Sequence, residues 1–209
     1  MNQGRMIVID GSNGAGKTTV IGALRDHLEY QRREALFTRE PGGTPIGEKI
    51  RKILLSTDAG EMAPVTELML FAAARAQHVR EKIIPALQAG KVVVCDRFDS
   101  ATLSFQHYAR GLPLELITTL NDLAVDGLQP DLTIVLDLDP EVGLARVGER
   151  GNNLDRLEKE TLDFLHKARE GYLAQARLNP ERFVVIDASQ PLDNVLCEVL
   201  QVVDHLMQQ

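Results

Sequence analysis

The segment from Gly11 to Thr18 (GSNGAGKT) constrains this chain more than any other part of the sequence. Two glycines separated by four residues, then a lysine and a hydroxyl residue, form the pattern of a phosphate-binding loop. An apolar run over residues 6–10 predicts a buried strand before the loop. Apolar residues at helical spacing predict a helix over residues 17–31 after it. A strand, a glycine-rich loop and a helix in this order predict a phosphate site.

Each residue type in the loop suits this chemistry. Glycines let backbone N–H groups turn toward an anion, and the N-terminus of the following helix adds unpaired donors and partial positive charge. Lys17 can reach the β- or γ-phosphate of a nucleotide, and the Thr18 hydroxyl can bind Mg²⁺. The alternative is a plain glycine-rich turn, which would not need the flanking strand and helix. The residues predicted to bind the nucleotide are Gly11, Ser12, Asn13, Gly14, Ala15, Gly16, Lys17, Thr18 and Thr19.

Length, charge and cysteine usage exclude several classes of protein. The 209 residues suffice for one α/β domain, which we expect to span residues 1–209. The net charge of −7 argues against nucleic acid as a partner. Cys95 and Cys197 lie far apart without metal-binding spacing, as expected of reduced thiols in a cytoplasmic protein. The longest apolar run, residues 68–74, is too short to span a bilayer, so we expect no membrane partner.

Five strand-like segments alternate with helical ones. The predicted strands cover residues 6–10, 35–38, 92–96, 132–137 and 183–187. The helices predicted after the first cover residues 46–54, 64–87, 99–108, 114–125, 140–147, 158–177 and 191–206. This alternation predicts an α/β protein with the three-layer α/β/α fold of P-loop NTPases. Its five-stranded parallel sheet would be surrounded by helices, with a short lid at about residues 146–156.

Charged residues stand at the ends of the predicted strands, where ligands bind to parallel sheets. Asp96 closes an apolar strand and can hold Mg²⁺ directly or through water; the alternative is that it caps the next helix. Arg39 and Arg97 each follow a strand, so both should face one crevice and can bind a second phosphate bidentately. The alternative for both is a surface arginine paired with a neighbouring acid.

Two pairs of side chains share a helix face because they are four residues apart: Phe71 with Arg75, and Thr102 with Gln106. An aromatic ring, a guanidinium, a hydroxyl and a carboxamide can together hold a nucleobase. The alternative for Phe71 is an ordinary place in the core.

Three more arginines lie in or next to the polar, glycine-bearing segment that we predict to be the lid: Arg146, Arg150 and Arg156. Mobile arginines beside a phosphate site can stabilise charge that develops during phosphoryl transfer. The alternative is a solvated helix face.

At these residues the chain resembles bacterial thymidylate kinases over nearly its whole length. The shared motifs begin with the phosphate loop, residues 38–44 (TREPGGT), residues 71–75 (FAAAR) and Asp96-Arg97. They continue with Thr102 and Gln106, Arg110-Gly111, Leu136-Asp137, Arg150-Gly151 and residues 130–133, 140–144 and 154–156. The phosphate loop is common to many families, whereas the whole set in this order is specific to this one.

The resemblance implies transfer of the γ-phosphoryl group of ATP to dTMP, giving dTDP, with Mg²⁺ held by Thr18 and Asp96. It implies that Arg39 and Arg97 hold the acceptor phosphate, and that Phe71 stacks on thymine. The residues implied to contact the edge of the base are Arg75, Thr102 and Gln106.

The resemblance also bears on catalysis and assembly. Gly14 stands where some members carry a basic residue, and members with glycine there rely on a lid arginine, which Arg150 matches. The implied catalytic residues are therefore Lys17, Arg97 and Arg150. The family is commonly homodimeric through helices, and the helices that start at Pro64 and Leu114 are the candidates for that interface.

Several positions depart from the family pattern. Asn13 replaces an acid that contacts the sugar 3′-hydroxyl, Ala101 replaces a serine, and Gly148 replaces a lid arginine. Residues 107–109 (HYA) replace a glycine-rich stretch beside the acceptor pocket. One alternative function is therefore a kinase of other, or several, deoxynucleoside monophosphates. The others are a P-loop nucleotide switch, which would have no use for a second phosphate site, and a relative that binds nucleotide without catalysis.

Overall fold

The computed structural model describes residues 4–57, 61–148 and 155–209. Its sheet has five strands: β1 (Met6–Gly11), β2 (Ala35–Arg39), β3 (Val92–Asp96), β4 (Leu132–Asp137) and β5 (Phe183–Asp187). All neighbouring pairs are parallel, in the order β2-β3-β1-β4-β5. The predicted five-stranded parallel sheet is confirmed.

The α-helices run from α1 to α9 in chain order. The first five are α1 (Lys17–Tyr30), α2 (Pro45–Leu55), α3 (Pro64–His78), α4 (Ile84–Gln88) and α5 (Asp99–Thr102). The others are α6 (Leu114–Val125), α7 (Pro140–Gly148), α8 (Leu162–Leu178) and α9 (Leu192–Gln208). Two π-helical segments, Val79–Ile83 and Leu103–Ala109, follow α3 and α5 without a break.

Strand β1 lies at the centre of the sheet because residues 6–9, which make up most of it, are apolar on both faces. All six of its residues are buried, and it pairs with β3 on one side and β4 on the other. Near-continuous apolar runs of this kind are typical of parallel strands covered by helices on both faces. The central position places the phosphate loop, which follows β1, between the carboxyl ends of β3 and β4.

The helices form the two outer layers, so the three-layer prediction is confirmed. On one face of the sheet, α1 and α9 bury aliphatic rows against the strands, with Val20, Leu24, Val195 and Val199 at most 4% exposed. A second cluster on β1 and β3 receives the π-helical segment Val79–Ile83, α4 and α6. A third cluster joins α8 to the π-helical segment Leu103–Ala109. These two π-helical segments therefore belong to the packed layers rather than to loops.

The helix predicted over residues 64–87 is continuous but contains a π-helical turn at Val79–Ile83. Pro85 gives the physical reason, since it lacks an N–H group and its ring clashes with the carbonyl group four residues earlier in a regular α-helix. A wider turn just before it relieves that conflict. The prediction over residues 99–108 has the same outcome: a short α5 continues as the π-helical segment that carries Gln106.

The helix predicted to start at residue 158 begins at Leu162 instead. Thr161 caps it, because its hydroxyl accepts a hydrogen bond from the N–H group of Phe164. Residues 155–160 form turns in which the Asp155 carboxylate accepts from two backbone N–H groups, those of Leu157 and Glu158. Charged residues favoured the longer helix, but Asp155 offers its backbone a competing set of bonds.

The remaining predictions on the fold concern the lid and the membrane. The central part of the predicted lid, including Arg150, lies outside the described residues. In residues 4–57, 61–148 and 155–209, no helix combines the length and apolar character that crossing a bilayer requires.

Candidate phosphotransfer site

A cleft of about 290 Å³ opens at the carboxyl ends of β1, β2 and β3. It collects residues that the sequence places on separate segments. The predicted site residues that line it are Asn13, Gly14, Gly16, Lys17, Thr18, Arg39, Phe71, Arg75, Asp96, Arg97, Thr102 and Gln106. Four predicted residues do not line it: Gly11 ends β1, Ser12 faces a smaller neighbouring cavity, Ala15 is buried and Thr19 is exposed on α1.

The phosphate loop requires glycine where the backbone turns. Gly11, Gly14 and Gly16 have φ angles of 125°, 77° and 94°, a region that costs other residues free energy. Gly16 is also the N-cap of α1, so the first turn of this helix opens toward the cleft. The loop therefore has the backbone shape that an anion site at a helix N-terminus needs.

Lys17 lies over this loop. Its Nζ donates to the carbonyl oxygens of Gly11 at 3.1 Å and Ser12 at 2.9 Å. Burial and the positive charge of Arg97 lower the pKa of Lys17 to about 7. A phosphate group at the loop would offset both effects, because an anion close to an ammonium group favours its charged form.

Two glycines bring the loop into backbone contact with α7. A Cβ atom on Gly14 would lie 2.2 Å from the carbonyl oxygen of Gly143, and one on Gly143 would lie 2.2 Å from that of Asn13. The basic side chain that some relatives carry at position 14 therefore has no room here unless α7 moves. This contact fixes the position of α7 relative to the loop.

Asp96 has an unused oxygen at the end of β3. Its Oδ1 is buried and has no hydrogen-bond partner among the described residues. The alternative that Asp96 caps the next helix is wrong, because the N-cap of α5 is Phe98. An unpaired buried carboxylate oxygen is costly and suits a hard cation, and Thr18 lines the same cleft.

Arg97 occupies the junction between the loop, the sheet and α8. Its Nη1 donates to the Tyr172 hydroxyl at 2.7 Å and lies 3.4 Å from Asp10 Oδ1, while its Nη2 donates to Asn13 Oδ1 at 2.6 Å. Its guanidinium carbon lies 5.2 Å from the ring centroid of Phe105. These contacts hold the side chain on several sides, and they accompany a left-handed backbone with φ of 66°. Left-handed backbone at a non-glycine residue costs about 1–3 kcal/mol and persists only where the surroundings enforce it.

Asn13 does not reach the cleft as a free group. The sequence comparison with the family predicted a sugar contact for this position, but in the structure its amide oxygen accepts the bond from Arg97. Among the described residues its amide nitrogen has no partner, so this group and the second lone pair of the oxygen are what Asn13 can offer a ligand.

Two further arginines line the same cleft as the phosphate loop. Arg39 is half-exposed and pairs with Glu48 at 3.2 Å, so the surface-pair alternative holds in part although the residue also lines the cleft. Arg51 on α2 donates to the carbonyl oxygen of Pro41 at 2.8 Å, and burial and Arg39 lower its pKa. Sequence reasoning missed Arg51, because α2 carries several basic residues and periodicity does not show which one faces a ligand.

The far end of the cleft has an aromatic face and a fixed guanidinium. Phe71 is half-buried there, so it is not ordinary core. Arg75 is 2% exposed and donates to Glu40 at 2.7 Å, to Asn121 at 2.7 Å and to the carbonyl oxygen of Phe98 at 2.8 Å. One donor on each terminal nitrogen stays free for a ligand. Arg75 is therefore a rigid donor pair beside an aromatic plane.

The three predicted lid arginines have different surroundings. Arg146 donates to the carbonyl oxygen of Ala188 at 3.4 Å, at the end of β5. Arg156 donates to the carbonyl oxygen of Leu54 at 2.8 Å and to the carboxylate of Glu67, so α2 and α3 already hold it. The role predicted for Arg150 stays a prediction, because this residue lies outside the described residues.

Four features together define a class of protein. They are the central position of β1, the glycine loop at its end, the unpaired carboxylate oxygen on β3 and the group of arginines in the same cleft. They are the features of a P-loop kinase that brings two phosphate-bearing molecules together.

Comparisons with known proteins agree with this class of protein and identify a family within it. The family model for thymidylate kinase matches residues 9–199. Thymidylate kinase of Geotalea uraniireducens is 51% identical over 192 residues, which cover 90% of each chain. That of Geobacillus thermodenitrificans is 47% identical over 201 residues, 96% of this chain and 89% of the relative. The crystal structure of thymidylate kinase from Ehrlichia chaffeensis matches with a TM-score of 0.77 at 32% identity, covering 96% of this chain and 99% of that one.

The chain therefore belongs to the thymidylate kinase family. It is a nucleoside monophosphate kinase, so the switch and the binding-only alternatives are wrong.

The contact between the loop and α7 gives a first prediction. Gly143→Ala should push α7 away from the loop, because the new Cβ would meet a backbone oxygen at 2.2 Å. We expect kcat/KM for ATP to fall about tenfold or more, since displacements near 1 Å at a catalytic site have effects of that size or larger. The matched control is Gly22→Ala on α1, where a Cβ meets nothing within 4 Å. Equal kcat/KM values for the two variants would contradict the proposed packing.

Proposed function

We propose that this chain transfers the γ-phosphoryl group of ATP to the phosphate of dTMP, giving ADP and dTDP, and that it acts as one domain. The observation that carries the proposal is the shared cleft. The phosphate loop and the arginine group of Arg39, Arg51 and Arg97 line the same cleft. The relatives named thymidylate kinase supply the identity of the acceptor.

The loop side is proposed to bind ATP. Backbone N–H groups of the loop and of the start of α1 would hold the β- and γ-phosphates, and Lys17 would exchange its carbonyl partners for phosphate oxygens. Thr18 and Asp96 fit Mg²⁺, because a hydroxyl group and an unpaired carboxylate oxygen are ligands that this ion prefers. When bound, Mg²⁺ would neutralise charge on the phosphates.

The acceptor side is proposed to bind dTMP. Arg39, Arg51 and Arg97 would hold its phosphate, since guanidinium groups match phosphate oxygens bidentately. Arg97 also touches the loop through Asn13, so it can contact both the acceptor and the transferred group. Because it is already oriented, little reorganisation is needed as charge develops in the transition state.

The base end of the cleft is proposed to bind thymine. Phe71 offers a face for stacking, while Arg75, Thr102 and Gln106 offer polar groups at the edge of the ring. Their burial, at most 2% exposed for all three polar residues, excludes water that would otherwise compete for these bonds.

Three further features complete the proposal. Arg150 is proposed to act from the lid, since Gly14 gives the loop no cation of its own. The proposed homodimer would use α3 and α6, which pack together and leave Val65, Met69 and Leu123 exposed. The proposed compartment is the cytoplasm, because Cys95 and Cys197 are both free thiols.

A coupled assay that follows ADP release with a panel of deoxynucleoside monophosphates tests the function. We expect the highest kcat/KM with dTMP. Lys17→Ala is the matched control and should keep less than about a tenth of kcat, because it loses the charge that accompanies the transferred group. A preference for another acceptor would support the broader kinase, and ADP release that needs no acceptor would contradict phosphoryl transfer.

Asp96→Asn tests the proposed magnesium site. The Mg²⁺ concentration for half-maximal activity should rise about tenfold, whereas the melting temperature should change little, because asparagine keeps the shape of the side chain and Oδ1 has no hydrogen bond to lose. Calorimetric titration of the ATP complex with Mg²⁺ should show the same weakening without turnover.

The control is Asp137→Asn at the end of β4, on the other side of β1, where Arg169 already holds the carboxylate through bonds of 2.7 and 2.8 Å. It should lower the melting temperature and leave the Mg²⁺ response unchanged. The reverse pattern in the two variants would remove Asp96 from the metal site.

A further inference from the structure

We infer that Glu67 is a positioning residue that sets which base the acceptor site accepts. Its carboxylate fixes the carboxamide of Gln106 so that an oxygen, and not an NH₂ group, faces the base. This inference rests on the proposed function, because it concerns how the same cleft recognises its acceptor.

The orientation of Gln106 follows from its partner. Glu67 and Gln106 are each 1% exposed, and the Nε2 atom of Gln106 donates to Glu67 Oε1. An ionised carboxylate can only accept hydrogen bonds, so the amide nitrogen must face it. The Oε1 atom of Gln106 then points the other way. It accepts no hydrogen bond from any described residue, and Gln106 lines the cleft.

The carboxylate of Glu67 is held in its accepting role from two further sides. Arg110 donates to its two oxygens at 3.0 and 3.1 Å, and Arg156 also donates to Oε2. Arg110 is itself fixed by Glu160 at 2.5 Å and lies 4.6 Å from the ring centroid of Phe164. Two guanidinium groups neutralise the buried charge and fill its remaining acceptor positions. All described donors around Glu67 therefore point at its two oxygens, which leaves it an acceptor toward Gln106.

A fixed oxygen at Gln106 discriminates between pyrimidine bases by the pattern of hydrogen-bond donors and acceptors at their edge. Thymine carries an N–H donor at N3 beside the carbonyl oxygen O4, and cytosine carries an unprotonated N3 beside an amino group. An acceptor from Gln106 next to a donor from Arg75 matches the first pattern and opposes both groups of the second. The neutral carboxamide could present either polarity if it were free to rotate, so the discrimination depends on Glu67.

The test compares dTMP with 5-methyl-dCMP, which keeps the methyl group, sugar and phosphate but reverses the polarity at N3 and C4. In Glu67→Gln, the new amide should keep its oxygen at the position of Oε2, which accepts from the Nη2 atoms of Arg110 and Arg156. Its NH₂ group then takes the position of Oε1 and faces Gln106, and the Nε atom of Arg110 loses its acceptor. Gln106 should then rotate and present NH₂ to the base. We expect the ratio of kcat/KM for dTMP to that for 5-methyl-dCMP to fall about tenfold or more.

The exchange variant, Glu67→Gln combined with Gln106→Glu, is the matched control because it keeps the net charge. The amide at position 67 can donate to the new carboxylate at position 106, which again presents only an acceptor to the base. The ratio should return to within about threefold of the wild-type value, since the polarity of the bond is restored.

An equal loss of kcat/KM for both acceptors in Glu67→Gln, with the ratio unchanged, would overturn the inference and leave Glu67 a structural residue. If that variant does not fold, the exchange variant decides alone: a ratio within about threefold of wild type supports the inference, and a tenfold loss overturns it.

Dissociation constants for the two nucleotides, measured by calorimetry, distinguish a failure of this inference from a failure of the proposed function. A wild type that binds both but transfers no phosphoryl group contradicts the function, and the binding ratio then tests Glu67. A wild type that binds neither overturns both.

Discussion

The hydrogen bonds that fix Arg97 are the interaction on which the rest of the site depends. They join the phosphate loop through Asn13, the central strand through Asp10 and helix α8 through Tyr172. The left-handed backbone of Arg97 is costly, and it persists because these three elements hold the side chain in place. In the proposed function, the loop binds the phosphates of ATP and the arginine group binds the acceptor phosphate, and Arg97 belongs to both sites. Separation of the two sites would remove the geometry for in-line transfer.

The proposed acceptor end of the cleft is built on two buried carboxylates. Glu40 accepts from Arg75 at 2.7 Å and from His78 at 2.9 Å, while Glu67 accepts from Gln106 and two arginines. Buried ion pairs seldom add much net stability, because desolvation offsets their attraction. What they provide here is orientation, since each carboxylate leaves its cleft residue, Arg75 or Gln106, with only one way to face a ligand. A pocket of the same shape without these carboxylates would hold a pyrimidine without distinguishing the hydrogen-bond donors of the base from its acceptors.

Sequence patterns predicted the strands, their parallel arrangement and the phosphate loop, because local periodicity and one long motif determine them. They misplaced the start of α8, where Asp155 and Thr161 give the backbone other partners, and they did not reveal the π-helical turns. They also missed Arg51, Glu67 and Tyr172. The roles of Glu67 and Tyr172 arise from contacts between residues 39 to 89 positions apart, which no local pattern encodes. Asn13 shows the same limit, since its partner Arg97 is 84 positions away.

The most direct test of this account is a kinetic comparison of Tyr172→Phe with the wild type. The variant keeps the ring that packs edge-on against Phe105 and removes only the hydroxyl that accepts from Arg97 at 2.7 Å. The account predicts that kcat/KM for dTMP falls about tenfold through looser positioning of Arg97, while KM for ATP and the melting temperature change little. Unchanged kcat/KM for dTMP, or equal losses for both substrates together with a lower melting temperature, would contradict it.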